Sequence, residues 1–159
     1  MFKVGDNVIY PQHGAAVIEG LQDREVGGEV KEYLVLKLTY GDLTLMVPKD
    51  NCQEVGIREP CSQEDVEGVL DILRSGETST QGNWSRRFKG NIERLQSGDI
   101  FQVAEVVRDL TVRDREKGLS AGEKRMLQRS RQILVSELVL ACNCDEHKAT
   151  LMVDEALEG

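Results

Sequence analysis

The residues with the most chemical potential lie in one basic block, which begins at the single tryptophan of the chain. Trp84 is followed closely by Arg86, Arg87 and Lys89. Residues 84–131 carry 12 basic and 7 acidic side chains, whereas the whole 159-residue protein has a net charge of −8. A polyanion is drawn to such a block and repelled by the acidic remainder, so the distribution of charge is more informative than its total. The block is therefore a candidate surface for nucleic-acid phosphates.

A second set of cations lies further along the block, on a later predicted helix. The set consists of Lys124, Arg125, Arg129 and Arg131. Spacings of one and four residues place several of them on a common broad face. The alternative is that both sets belong to ordinary solvated helix faces, which the interspersed acids Glu93 and Glu123 favour. Composition alone favours this alternative, because phosphate binding needs clustered cations but clustered cations need not bind phosphate.

Two interpretations are open for Trp84. It continues the helical stripe of Phe88, Ile92 and Leu95, so periodicity by itself favours a core residue. However, Trp84 lies in the first turn of its predicted helix, next to Asn83, a predicted N-cap. A large ring at a helix start can project beyond the core as an anchor, since aromatic rings beside arginines suit interfaces and wedges between stacked bases.

Catalytic and metal sites find little support in the sequence. His13 and His147 are the only histidines, no nucleophile motif surrounds them, and no glycine-rich phosphate loop follows a strand. The acidic residues are predicted to be scattered on solvent faces, without a catalytic pair. Cys142, Cys144 and His147 hint at metal, but zinc sites usually leave about two to four residues between paired cysteines. We expect no enzymatic activity, no cofactor and no metal.

The cysteines are expected to be free thiols, with Cys142 and Cys144 half-buried near a helix junction. The N-terminus shows no signal-peptide pattern, and no apolar run approaches the roughly 18 residues that cross a bilayer. A cytoplasmic protein, in a reducing compartment, is the expectation. A metal-dependent or redox protein that uses Cys142, Cys144 and His147 is the less favoured alternative.

Two modules must position these residues. From Phe2 to Ile57 the hydrophobic period is near two, and Gly27-Gly28 and Gly41-Asp42 read as turns between strands. Four or five short antiparallel strands of this kind predict a small β-barrel or a strongly bent sheet.

After Pro60 the period changes to 3.6, which predicts about five helices. Ser62 with Asp65, and Ser120 with Glu123, read as helix starts. Gly118 reads as the glycine after a helix end, and the small polar residues of 75–82 predict a loop. A β module followed by an α module gives an α+β protein, with predicted domains at residues 1–57 and 62–159.

A series of short motifs spans both modules. In order, these are FKVGD (2–6), VIYP (8–11), GAA (14–16), KEYLVL (31–36), VGIRE (55–59), NWSRRFK (83–89), AEVVRDL (104–110) and GLSAGEKRML (118–127). With them the chain resembles, over essentially its full length, the CarD/CdnL family of bacterial RNA polymerase-binding transcription regulators. The first module also resembles the polymerase-interacting domain of transcription-repair coupling factors, but the helical module and the absence of helicase motifs indicate a stand-alone regulator.

The resemblance implies a Tudor-like barrel that binds the lobe of the polymerase β subunit. It also implies a helical domain that touches promoter DNA at the upstream edge of the transcription bubble. A tryptophan at the position of Trp84 is implied to wedge into the minor groove at the fork, hinder bubble collapse and stabilise the open complex. The DNA-binding residues implied in this way are Trp84, Arg86, Arg87, Lys89, Lys124 and Arg125.

The polymerase contact implied by the resemblance involves Arg24, Val26 and Met46. Arg24 matches a polymerase-contacting arginine of some relatives. Met46 departs from relatives that carry arginine there, so that contact would be apolar in this chain.

Sequence-specific DNA recognition is not implied, because a wedge needs no base-specific hydrogen bonds; such a factor acts at many promoters without reading an operator. The alternative is a protein-only adaptor whose helical domain binds another protein. In that case the basic block is a solvated surface.

Overall fold

The computed structural model describes residues 2–76, 78 and 82–159. In that part of the chain, four antiparallel strands form a meander in the order β1-β2-β3-β4. The strands are β1 Asn7–Tyr10, β2 Gly14–Val26, β3 Glu29–Leu38 and β4 Thr44–Pro48. The sheet curls into a half-barrel, which confirms the predicted small antiparallel β module.

The two predicted turns are confirmed, and backbone sterics explain them. Gly27 and Gly28, between β2 and β3, have φ of 61° and 84°. Gly41 and Asp42, between β3 and β4, have φ of 90° and 50°. A tight hairpin turn with positive φ at both central positions favours glycine and, less strongly, asparagine or aspartate, because other side chains clash there.

Buried and outward-facing side chains alternate along the strands, so the sheet has one buried face. Leu34, Leu36 and Leu38 of β3 are buried with Ile18 of β2 and Val47 of β4. Side chains in cross-strand pairs share a face, so the alternate residues of the same strands form a second, outer face of the sheet. The candidate polymerase residues lie on that outer face.

A 3₁₀ turn at Lys49–Asn51 follows the sheet. In the described part of the chain the helices are α1 Cys52–Val55, α2 Gln63–Arg74, α3 Trp84–Gln96, α4 Ile100–Glu116, α5 Ala121–Cys142 and α6 Glu146–Glu158. Since α1 is a single turn, five helices build the module, as predicted. The α+β class is confirmed.

The predicted helix ends are confirmed by their hydrogen bonds. Ser62 and Ser120 begin α2 and α5, and each forms a reciprocal capping box with the acid three residues on. Gly118 ends α4 with φ of 81°, and its N–H donates to the carbonyl of Arg113 (3.1 Å). Of the predicted loop at 75–82, residues 77 and 79–81 lie outside the described residues. In the part of the chain that is described, no helix is both long and apolar enough to cross a bilayer.

One expectation about the acidic residues is wrong. Asp109, Glu123 and Glu137 are not on solvent faces; all three are buried among the helices. Each carboxylate is compensated by an ion pair with an arginine. Burial of a charge is costly unless it is paired and hydrogen-bonded. The arginines supply both for Asp109 and Glu137, whereas the hydrogen bonds to Glu123 come from Ser120.

The β module packs directly on α5. The N–H of Ala15 donates to Ser136 Oγ (3.0 Å). Next to it, Gly14 has φ of 82°, and a Cβ there would lie 2.6 Å from Ser136 Oγ and 3.2 Å from the Cα of Ile133. A side chain at position 14 would therefore be strained and would also push the strand away from the helix.

An ion pair between Arg58 and Glu137 also holds the two modules in position relative to each other. The Arg58 backbone bonds to Ile9 of β1 in both directions (2.7 and 3.1 Å). Its guanidinium donates from Nη1 (2.6 Å) and Nη2 (2.8 Å) to the two carboxylate oxygens of Glu137 on α5. The Arg58 Nε donates to the carbonyl of Gly98 (2.9 Å), and the Cys61 N–H donates to Glu137 Oε2 (2.8 Å). The Glu137 side chain is 1% exposed, so this contact is the centre of the junction.

The Arg58–Glu137 pair also sets the charge states around it. Burial lowers the pKa of Arg58, but the hydrogen bond and charge of Glu137 outweigh that effect and raise it above its usual value. Burial, together with the charge of Glu137, raises the pKa of Cys61 to about 12. Arg58 therefore stays charged and Cys61 stays a neutral thiol at physiological pH.

Candidate functional site

Trp84 lies at the first position of α3 and is 44% exposed. The predicted cap is present: Asn83 Oδ1 accepts from the N–H of Arg86 (2.9 Å). The indole stacks on Phe88, with ring centroids 4.8 Å apart and planes inclined by 16°. Phe88 in turn packs against the cluster that contains Met126. Periodicity correctly placed Trp84 over Phe88. Of the two open interpretations, the core residue is excluded by the exposure of the ring, because α3 begins one turn beyond the edge of the core.

The indole also has a polar contact, which ties α3 to α5. Trp84 Nε1 donates to Ser120 Oγ (3.1 Å), the hydroxyl that caps α5. Two residues further along α5, a Cβ at Gly122 would lie 3.5 Å from the Phe88 ring, so the two helix starts are in close contact. The N-terminal ends of α3 and α5 thus form one surface around the indole.

Most of the predicted DNA-binding residues lie on these two helix starts. Arg86, Lys89, Lys124 and Arg125 are exposed. Arg87 is half-buried, and its Nη1 donates to the carbonyl of Gly82 (3.0 Å). The structure therefore places Trp84 and exposed cations on the same two helix starts, and it leaves Arg87 half-buried. The role of each residue stays a prediction.

Two other cations of the block do not join this surface. Arg129 Nη2 contacts the Gln12 carbonyl (3.1 Å) and His13 Nδ1 (3.0 Å) in the β module. Arg131 pairs with Asp154 of α6. The face on which several of the four cations were predicted to lie therefore does not include Arg129 and Arg131, because the later part of α5 is packed between the β module and α6. Glu123, taken as a solvated acid, is 2% exposed.

A buried polar network, which sequence reasoning missed, attaches α3 to α4. Arg94 pairs with Asp109 (2.9 Å) and Glu105 (3.3 Å). Arg108 Nε also donates to Asp109 (3.1 Å). Several of the block's cations are thus internal, which reduces its usable surface charge. The sequence feature that could have revealed this network is the pair of charged residues at 108–109. They lie inside the apolar run of α4, where solvated residues are rarely found.

The strand register places the three candidate polymerase residues on the same outer face of the sheet. Arg24 pairs with Lys31 and Val26 with Glu29, and Met46 pairs with Val35. Since Lys31, Glu29 and Val35 alternate along β3, all three pairs share one face. Val26 is 48% exposed, and Met46 is half-buried.

The four cysteines are free thiols. Cys142 and Cys144 are half-buried against the helical core, as predicted. Burial raises the pKa of Cys142, and the neighbouring Cys144 adds to the shift, so this thiol is poorly nucleophilic. Across the described residues, no three His, Cys, Asp or Glu side chains converge in a way that could hold a metal ion.

Known protein families match both parts of the chain. Residues 2–60 match the family model described as CarD-like/TRCF RID domain. Residues 68–154 match the model described as CarD, C-terminal domain. The chain is also 36% identical over 138 residues to the Bacillus subtilis (strain 168) protein named "Putative transcription factor YdeB", with 87% of this chain and 90% of the relative covered.

These matches cover both modules and most of the sequence. The family consists of transcription regulators and is not a known class of enzymes. The relative is matched over nearly its whole length, so the similarity concerns the complete two-module arrangement. The chain belongs to the CarD-like family of transcription factors.

Proposed function

We propose that this protein binds the β-subunit lobe of RNA polymerase through the outer face of its sheet. Its helical module contacts the upstream fork of the promoter bubble and stabilises the open complex without reading an operator. It acts without catalysing a reaction, in the cytoplasm and at the nucleoid through the polymerase. The observation that carries the proposal is the half-exposed indole of Trp84, held between two helix starts that present exposed cations.

The DNA contact follows from the chemistry of that surface. Phe88 covers one face of the indole, and the residue still exposes 44% of its surface, so the ring is available to stack on a base or a base step. Arg86, Lys89 and Lys124 are exposed on the same two helix starts and can neutralise phosphates. Stacking and phosphate contacts both tolerate any sequence.

The polymerase contact is supported by an unusual outward sheet face. Arg24 and Lys31 are exposed and directly opposed, although like charges in a cross-strand pair destabilise a sheet. The apolar side chains of Val26 and Met46 lie on the same face. A partner surface with carboxylates beside an apolar patch would relieve the repulsion and cover the apolar area. We place the polymerase contact here.

The domain boundaries are part of the proposal: residues 1–57 form the polymerase-binding domain and 62–159 the DNA-contacting domain. Because Arg58–Glu137 and Gly14–Ser136 hold the modules together, docking of the first raises the effective concentration of the second at the fork. An acidic protein with weak intrinsic DNA affinity can therefore act on DNA.

Arg24→Glu is expected to weaken polymerase binding by at least about tenfold, because it places a carboxylate where the partner is expected to be acidic. Affinity for forked DNA alone is expected to stay unchanged. Binding of each variant to RNA polymerase is measured by biolayer interferometry, with Lys3→Glu as a control of identical charge change at an exposed position. Equal affinities of wild type and Arg24→Glu would contradict the assignment of this face.

The affinity of the full chain for forked DNA is expected to fall as salt rises, because phosphate contacts release counterions. Lys124→Ala should reduce the slope of log K against log salt by about 1. Lys148→Ala, an exposed lysine on α6, should leave it unchanged. A salt-independent affinity, or equal slopes for the two variants, would favour the protein-only adaptor instead.

A further inference from the structure

We propose that Ser120 is a positioning residue for Trp84: its hydroxyl fixes the indole in a stacking-ready orientation and withholds the indole N–H from the bases. The inference rests on the proposed role of Trp84 at the fork. It adds a residue from a different helix, 36 positions away, that directs how the ring meets DNA.

The indole is held at two points besides its backbone. Phe88 stacks beneath one face, and Ser120 Oγ accepts the Nε1–H at 3.1 Å. A stack alone allows the ring to slide and turn in its plane. The hydrogen bond at the ring edge removes that freedom, so the ring orientation is set before DNA arrives.

Ser120 is itself held in a defined orientation. A serine hydroxyl has one donor and two acceptor positions. Here it donates to Glu123 Oε1 (3.0 Å) and accepts from the Glu123 N–H (3.2 Å) and from Trp84 Nε1. All three positions are therefore used. The Glu123 carboxylate is buried and has Arg113 within 3.8 Å, so a charged pair beneath the surface directs the serine lone pair towards the indole.

Two consequences follow for DNA contact. The N–H is the one hydrogen-bond donor of the indole, so its donation to Ser120 leaves the ring with no donor for the purine N3 and pyrimidine O2 acceptors of the minor groove. The wedge then acts by stacking alone, which is insensitive to sequence. In addition, a ring that is already immobilised loses little conformational entropy on binding.

The test uses the fact that Trp84 is the only tryptophan. Ser120→Gly removes the hydroxyl, while glycine remains a tolerated N-cap. In the free full-length protein, this variant is expected to show a red-shifted emission and stronger acrylamide quenching. With RNA polymerase, it is expected to shorten the open-complex lifetime by about 2- to 10-fold, the range given by the ordering cost of one side chain.

Two variants separate positioning from helix capping. Ser62→Gly removes the equivalent capping box from α2, away from the indole, and is expected to change neither readout. Ser120→Thr restores a hydroxyl and is expected to recover both.

Wild-type emission and quenching in Ser120→Gly would overturn the inference, as would altered fluorescence with an unchanged open-complex lifetime. In the second case the wedge would survive, provided that Trp84→Ala still shortens the lifetime. If Trp84→Ala keeps the wild-type lifetime, the proposed function fails, and the positioning role fails with it.

Discussion

Trp84→Ala is expected to shorten the lifetime of promoter open complexes by about 5- to 150-fold, while the protein still folds and binds RNA polymerase. A base stacked on an aromatic ring is worth about 1–3 kcal/mol, and this gain is lost in full if the contact exists only in the open state. The fold should tolerate the change with a loss of about 1 kcal/mol, because the side chain is half-exposed and lies at a helix end. Lifetimes are measured by competitor challenge of preformed complexes.

Trp84→Phe provides a graded control for this result. It keeps an aromatic face over Phe88 but loses the bond to Ser120, so its open complexes should have lifetimes between those of wild type and Trp84→Ala. Circular dichroism and polymerase affinity should match wild type for both variants. A Trp84→Ala protein that unfolds would identify the ring as a structural residue and contradict the wedge.

Glu137→Ala is expected to lower the free energy of unfolding by about 3 kcal/mol. Removal of one partner from a buried ion pair leaves an uncompensated charge, which costs about 3–5 kcal/mol. The lower end applies because the Arg58 side chain is about one-third exposed and regains some hydration. The Cys61 N–H also loses its acceptor. Urea denaturation monitored by circular dichroism gives the midpoint and the slope.

Glu137→Ala should also distinguish the two separate binding activities from the open-complex lifetime, which depends on both modules acting together. Binding to polymerase and to forked DNA, each measured alone at a temperature where the variant is folded, is expected to persist. The gain in open-complex lifetime should be reduced, because the modules are then held only by the contact of Gly14 and Ala15 with α5, which fixes their relative orientation less firmly. Glu137→Gln, which keeps the side-chain shape, should have a smaller effect. Glu67→Ala, an exposed acid in the middle of α2, should change stability by less than about 0.5 kcal/mol. Equal stabilities of Glu137→Ala and Glu67→Ala would contradict this account of the junction.

The features that the sequence predicts well are those decided by neighbouring residues. The Ser62–Asp65 and Ser120–Glu123 boxes and the Gly27-Gly28 turn follow from local backbone chemistry. The change of hydrophobic period likewise separates the two modules without any knowledge of their contacts.

The features that the sequence does not predict depend on distant partners. Glu137 and Arg58 are 79 positions apart, so nothing near Glu137 shows that it is buried. The exposure of Trp84 depends on where the core stops beneath α3, which periodicity does not report. The fate of Arg129 depends on the β module that packs against α5. For the candidate site, residue types and the charge block indicated the surface, but which cations remain free was decided by tertiary packing.

The close approach of Gly14 to α5 fixes where the sheet lies relative to the helical module. The strand backbone at Gly14 is seated against Ser136 and Ile133, and the Ala15 N–H donates to Ser136 Oγ, so close packing holds the outer sheet face at a defined position relative to the helices that carry the indole. One base-pair step of DNA is about 3.4 Å along the duplex. In the proposed complex, a span held in this way between polymerase and fork would address one step at a defined distance from the enzyme, so position along the DNA would be chosen by distance from the polymerase instead of by base identity.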